Sequence, residues 1–81
     1  MAGVPIRKPP SCPSRTRFGK NVVRLRHRSG VTQEVLAEAA GLSVRYIQSL
    51  EAGEYFPALP TLIRLHHSLN ASWEDLFAGC E

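Results

Sequence analysis

Between residues 16 and 77 apolar side chains return every three or four positions, and glycines interrupt the rhythm at residues 30, 41 and 53. Phe18, Val22 and Leu25 fall at i, i+4 and i+7, the single stripe of an amphipathic helix that starts near Thr16. Ser29-Gly30 ends that helix, because glycine accepts the positive φ that closes one. Thr32 is suited to cap a second helix. Its inner face is expected to be Val35, Leu36, Ala39 and Ala40, and Gly41 stops it. Ser43 caps a third helix over 43–51, with Tyr46, Ile47 and Leu50 inward and Gly53 at its end. After the loop "EYFP", Pro60 suits the first turn of a fourth helix. Leu62, Leu65 and Leu69 form the stripe of that helix, and Asn70 can take the left-handed conformation that closes it. Ser72 caps a last short helix, "WEDLFAG", whose Glu74 and Asp75 sit where the helix dipole favours acids. Residues 1–15 carry Pro5, Pro9, Pro10 and Pro13, a density that opposes regular structure and predicts a mobile arm. The pattern predicts an all-α, five-helix domain over 16–81 behind that arm.

The third helix has two unlike faces. At about 100° per residue, Ile47, Leu50 and Tyr46 cluster on one side and Val44, Arg45, Gln48 and Ser49 on the other. The outer face is polar and flat, with one cation and one small apolar group, and it lacks the Glu and Lys of an ordinary solvated helix face. That mixture suits the edges of bases in a major groove. Arginine forks to guanine, glutamine to adenine, serine to either, and a valine methyl meets the thymine methyl. Two short helices joined by a tight glycine turn, 32–40 and 43–51, are the helix-turn-helix arrangement.

Charge sharpens this reading. The formal net charge is +3, but eight of the ten basic residues lie within 1–28: Arg7, Lys8, Arg15, Arg17, Lys20, Arg24, Arg26 and Arg28. No acid precedes Glu34, and the remainder sets Arg45 and Arg64 against all seven acids. A basic segment joined to an acidic one points to a polyanionic partner for one side of the molecule. A basic arm that follows the phosphate backbone would add affinity without choosing the sequence. No apolar run is long enough to cross a membrane, and the first residues lack the apolar centre of a secretory leader. Cys12 and Cys80 have no zinc spacing and are expected as free thiols of a cytoplasmic protein. No metal or cofactor site is expected: His66-His67 are adjacent and point about 100° apart, and no phosphate-cradling loop or nucleophile–histidine pattern stands out. Glu34 and Glu38 read as an exposed helix face, so no enzymatic activity is assigned.

The stretches "FGKNVVRLR", "GVTQEVLAEAAGLSVRYIQSLEAG" and "PALPTLIRLHHSLNASWEDLF", from Phe18 to Phe77 and covering about three quarters of the chain, resemble the Cro/C1-type (XRE) helix-turn-helix family of phage and bacterial transcriptional regulators. The resemblance implies a lambda-repressor-like five-helix domain that acts as a homodimer on a palindromic operator, with half-sites about 34 Å apart. Carried over position by position, it implies that Val44, Arg45 and Ser49 read bases beside Gln48. Gln33 would touch a phosphate and buttress the third helix, and Ser43 would lie next to the backbone. Thr32, Lys20 and Arg17 complete the expected backbone contacts. Arg26 and Glu51 match a structural ion pair. Two positions depart from the family pattern. The loop "GEYFP" has Glu54 where a cation is usual, leaving the Tyr55 hydroxyl or the backbone as the phosphate donor there. His66 stands where a small residue is common. Leu76 and Phe77 are expected in the core, and Trp73, with Phe77 beside it, marks the expected dimer surface.

The partner expected from all this is double-stranded DNA, and the role a repressor-like regulator. Two other readings share parts of the pattern. An antitoxin-like protein would bind DNA and also mask a protein partner, for which the arm is the candidate segment. A protein-interaction module could keep the fold without DNA binding, but Arg45 and the basic amino-terminal half argue against it.

Overall fold

A computed structural model describes residues 13–80. In these residues the chain forms five helices and no strand: α1 (Pro13–Ser29), α2 (Gln33–Ala40), α3 (Val44–Glu51), α4 (Leu59–Leu69) and α5 (Trp73–Leu76). Helix α3 packs against both α1 and α2, α2 also packs on α4, and α1 holds α5. The core is Phe18, Val22 and Leu25 of α1, Leu36, Ala37 and Ala40 of α2, Ile47 and Leu50 of α3, Leu62, Leu65 and Leu69 of α4, and Ala71 and Leu76.

Local chemistry explains the helix ends. Thr32, Ser43 and Ser72 each lie in extended backbone, and each side-chain oxygen accepts the N–H three residues on, at 3.1, 3.0 and 3.0 Å. Pro60 stands in the first turn of α4, where a missing N–H costs no helical bond. Asn70 closes α4 with a left-handed φ of 50°. At the turn between α2 and α3, Gly41 has φ 70°. Its N–H bonds the Glu38 carbonyl and that of Leu42 reaches Ala37, the paired closure that requires a left-handed residue.

Three expectations are corrected. First, α1 begins at Pro13, not near Thr16: proline lacks only an N–H that a first turn does not use. The rest of the expected arm, including Arg7, Lys8 and Cys12, lies outside the described residues. Second, α2 turns Leu36, Ala37 and Ala40 inward, while Val35 is 49% exposed and Ala39 is also exposed. This short helix packs against both α3 and α4, and small Ala37 fills the crowded side. Third, the last helix stops at Leu76, short of the glycine.

Asn21 accounts for that stop. Among the described residues it is the one buried polar side chain. Its amide donates to the Leu76 carbonyl at 2.8 Å and to the Ala78 carbonyl at 2.9 Å, while its oxygen accepts from Arg24 at 2.9 Å. The chain after α5 is thus tied to α1 instead of continuing the helix. Arg24 also donates to the Asp75 carbonyl, and Arg28 pairs with the Asp75 carboxylate at 3.4 Å. Replacing Asn21 with alanine leaves both carbonyls without their donor and is expected to cost about 2 kcal/mol. An unchanged midpoint in urea denaturation would show that the clamp contributes nothing.

Candidate nucleic-acid interface

The site begins with the geometry of α2 and α3. The outer side of α3 carries Arg45 and Gln48, both exposed, and Ser49, half-exposed. A helix with its side chains is about 10–12 Å across, which a major groove about 12 Å wide admits. Val44 lies at the rim of this face, partly packed against the core, so only part of its side chain faces outward. Arg45, Gln48, Ser49 and Glu54 line a shallow, open depression of about 340 Å³.

A polar network fixes this face to the rest of the domain. Glu51, at the last turn of α3, accepts from Arg26 Nε at 2.8 Å and Nη2 at 3.2 Å, and from Gln33 Nε2 at 2.8 Å. Arg26 Nη1 also donates to the Val31 carbonyl at 3.1 Å. The Arg26 and Glu51 side chains are only 11% and 7% exposed. One carboxylate thereby joins α1, the turn before α2, the head of α2 and the end of α3. Gln33 thus links the head of α2 to the last turn of α3, and an amide nitrogen bonded once still carries a second hydrogen.

The α3 terminus is set by Gly53, at φ 79°. Its N–H bonds the Leu50 carbonyl at 3.0 Å, and the Glu54 N–H bonds the Ser49 carbonyl at 3.1 Å. This paired closure folds Glu54 back beside Ser49. The other loop expectation is corrected. The Tyr55 hydroxyl donates to the Tyr46 carbonyl at 2.9 Å, so its single proton is committed within the protein and is not offered to a phosphate. Burial pushes that hydroxyl above the ordinary tyrosine range, and Tyr46 and Glu54 add to the shift. The two rings pack 5.0 Å apart between centroids.

The remaining expected residues divide. Thr32 and Ser43 stand at the heads of α2 and α3, and both are exposed. Each uses an oxygen lone pair for its cap, which leaves the O–H as a donor. Lys20 is exposed on α1. Arg17 is exposed too, but its side chain runs along Gly79, whereas Gly19 of the same helix lies against α3. The structure does not gather Arg17 with the outer face of α3.

Trp73 and Phe77 belong to a different surface. The His66 and Trp73 rings stack at 4.0 Å with 9° between planes, and Trp73 stacks on Phe77 at 6.0 Å. Phe77 is half-buried and meets Phe18 and Phe56 at 5.7 and 6.1 Å. Trp73, Ile63 and Leu59 are 41, 42 and 65% exposed. Leu59, Ile63 and His66 fall at i, i+4 and i+7, so they form one stripe along α4 leading to Trp73.

Sequence reasoning missed Asn21 and Gly19. A polar residue in a basic helix reads as surface, and a helical glycine reads as a weak point. Only the packing of α1 against α3 and the end of α5 gives them a purpose.

A capped two-helix unit, with an exposed polar face on its second helix and a buried ion pair behind it, defines a helix-turn-helix DNA-binding domain. A helix-turn-helix domain family model matches residues 17–78. An uncharacterised HTH-type transcriptional regulator, y4dJ of Sinorhizobium fredii, is 40% identical over 58 residues, covering 72% of this chain and 75% of that protein. Another, YgzD of Bacillus subtilis, is 34% identical over 59 residues, covering 72% and 89%. Among solved structures, the restriction-modification controller protein C.AhdI from Aeromonas hydrophila superposes with a TM-score of 0.72 at 31% identity, covering 76% of this chain and 94% of its own. The clp gene regulator ClgR from C. glutamicum gives 0.72 at 34% identity, covering 76% and 80%. The chain belongs to the Cro/C1-type helix-turn-helix family and is a DNA-binding transcriptional regulator, not an enzyme. No helix among the described residues is long and apolar enough to cross a membrane.

Proposed function

We propose that this regulator acts in the cytoplasm as a repressor, binding a palindromic operator as a homodimer with one α3 in each of two successive major grooves. The observation that carries the reading is the face formed by exposed Arg45 and Gln48 and half-exposed Ser49, on a helix fixed from behind by Glu51. Arg45 forks to a guanine, Gln48 pairs with an adenine, Ser49 bonds either, and the outward part of Val44 meets a thymine methyl. Thr32, Ser43 and the second amide hydrogen of Gln33 hold phosphates at the heads of the two helices, where the helix dipoles also favour anions. Lys20 adds a longer-range contact. Bound across a promoter, such a dimer represses by occlusion.

Selection of binding sites from random duplex DNA tests this directly. The expected product is a two-fold symmetric motif with half-sites about one helical turn apart; enrichment of no sequence would overturn the reading. On the selected site, Arg45→Ala is expected to lose about 1–3 kcal/mol and to relax preference at one base pair per half-site. Unchanged preference in a competition assay would remove Arg45 from the reading surface.

The stripe of Leu59, Ile63, His66 and Trp73 supports a dimer through the α4–α5 face, because exposed apolar groups of this kind mark interfaces. Phe77 backs Trp73 from below and contributes its rim. Sedimentation is expected to show a dimer that Trp73→Ala and Ile63→Asp weaken. A monomer at high concentration, with and without operator, would contradict the dimer and leave DNA binding by single copies.

A further inference from the structure

We propose that Glu54 is a specificity-determining residue, which accepts a hydrogen bond from a cytosine amino group next to the guanine held by Arg45. The proposal rests on the DNA-reading role of α3 given above. Its starting point is placement. The closure at Gly53 bonds the Glu54 N–H to the Ser49 carbonyl and sets the residue against the last turn of α3. Glu54 then shares one open depression with Arg45, Gln48 and Ser49. The residue is exposed, and among the described residues it has no ion-pair partner. Its carboxylate is therefore not absorbed by the protein.

The chemistry of a carboxylate narrows what it can meet. An ionised carboxylate only accepts hydrogen bonds. Phosphate oxygens are also acceptors and carry the same charge, so the DNA backbone offers it no direct partner. On the floor of the major groove the donors are the cytosine N4 and adenine N6 amino groups. Adenine N6 lies beside its N7 acceptor, so it is best met by a side chain that both donates and accepts; the carboxylate matches cytosine. Arg45, across the same depression, supplies donors alone and matches guanine O6 and N7. Together the two side chains present a donor group beside an acceptor group, the complement of a guanine at one position and a cytosine at the next. The acid also lowers affinity for DNA in general, because it faces phosphates wherever its base is wrong. That cost falls on non-cognate sites, which is how a repulsive element sharpens specificity.

Site selection from random duplexes with the full chain and with Glu54→Gln and Glu54→Ala tests the proposal. Both substitutions lie at the surface and leave the backbone bond to Ser49 in place. Wild type is expected to select cytosine at one position adjoining the guanine that Arg45→Ala releases. Glu54→Gln should move that position from cytosine toward adenine, because an amide both donates and accepts. Glu54→Ala should flatten it, losing about five- to tenfold discrimination, the low end of the range for a single base contact. Binding to random DNA should tighten for both variants. If both select the wild-type motif at every position and differ only by a uniform gain in affinity, Glu54 acts by repulsion alone and the proposal fails while the DNA-reading role stands. If wild type enriches no motif, that role fails and the proposal with it.

Discussion

Glu51→Ala is expected to lower the stability of the domain by about 3 kcal/mol. The carboxylate accepts three hydrogen bonds, two from Arg26 and one from Gln33. Its loss strands a guanidinium that is nine-tenths buried. Breaking a buried pair costs more than the pair contributes, because the remaining charge has lost its solvent and its partner together. At about 4–8 °C per kcal/mol for a domain of this size, the melting temperature should fall by more than 10 °C. Replacing both partners with apolar residues of similar volume should recover most of the loss, since neither charge then stays behind. A single variant that melts with wild type would mean that water reaches Arg26 and that the pair is a surface contact worth little.

Gly19→Ala is expected to cost about as much, although alanine is the better helix former by about 1 kcal/mol. A Cβ at Gly19 would lie 2.6 Å from the Leu50 carbonyl oxygen and 2.8 Å from that of Glu51. Both are backbone atoms at the end of α3, so no side chain can swing aside. Relief requires α1 and α3 to separate, which opens the core around Phe18, Ile47 and Leu50, all fully buried. Overpacking typically costs 1–3 kcal/mol; with backbone on both sides, the net loss should be about 3 kcal/mol. The same separation shifts the outer face of α3 relative to α2, so DNA binding should weaken even at temperatures where the variant is folded. A gain in stability on thermal denaturation would show that the helices move apart freely and that propensity alone decides.

These two residues show what the sequence could and could not reveal. Helix ends were legible because their chemistry is local. Thr32, Ser43 and Ser72 bond N–H groups three residues away, and Gly41, Gly53 and Asn70 take left-handed backbone. The leucine stripe of α4 and the exposed polar face of α3 follow from spacing alone. Gly19 was not legible, since the clash it avoids involves residues more than thirty positions away. Asn21 was hidden for the same reason, its partners lying 55 and 57 residues along the chain. On the inner face of α2 spacing and size favour Val35, whereas a short helix packed on two sides admits Ala37 and turns Val35 out. The basic character of α1 also has a second source. Arg24 and Arg28 bind the Asp75 region, so part of the charge that suggested a polyanion holds α5 in place.

If the outer side of α2 and α3 is the DNA surface, backbone amide resonances of the isotopically labelled protein will report it as a selected duplex is added. The largest shifts are expected on Gln33, Val44, Arg45, Gln48, Ser49 and Glu54, with Leu59, Ile63 and Trp73 little changed. Shifts concentrated on Leu59, Ile63 and Trp73, with α3 undisturbed, would contradict it.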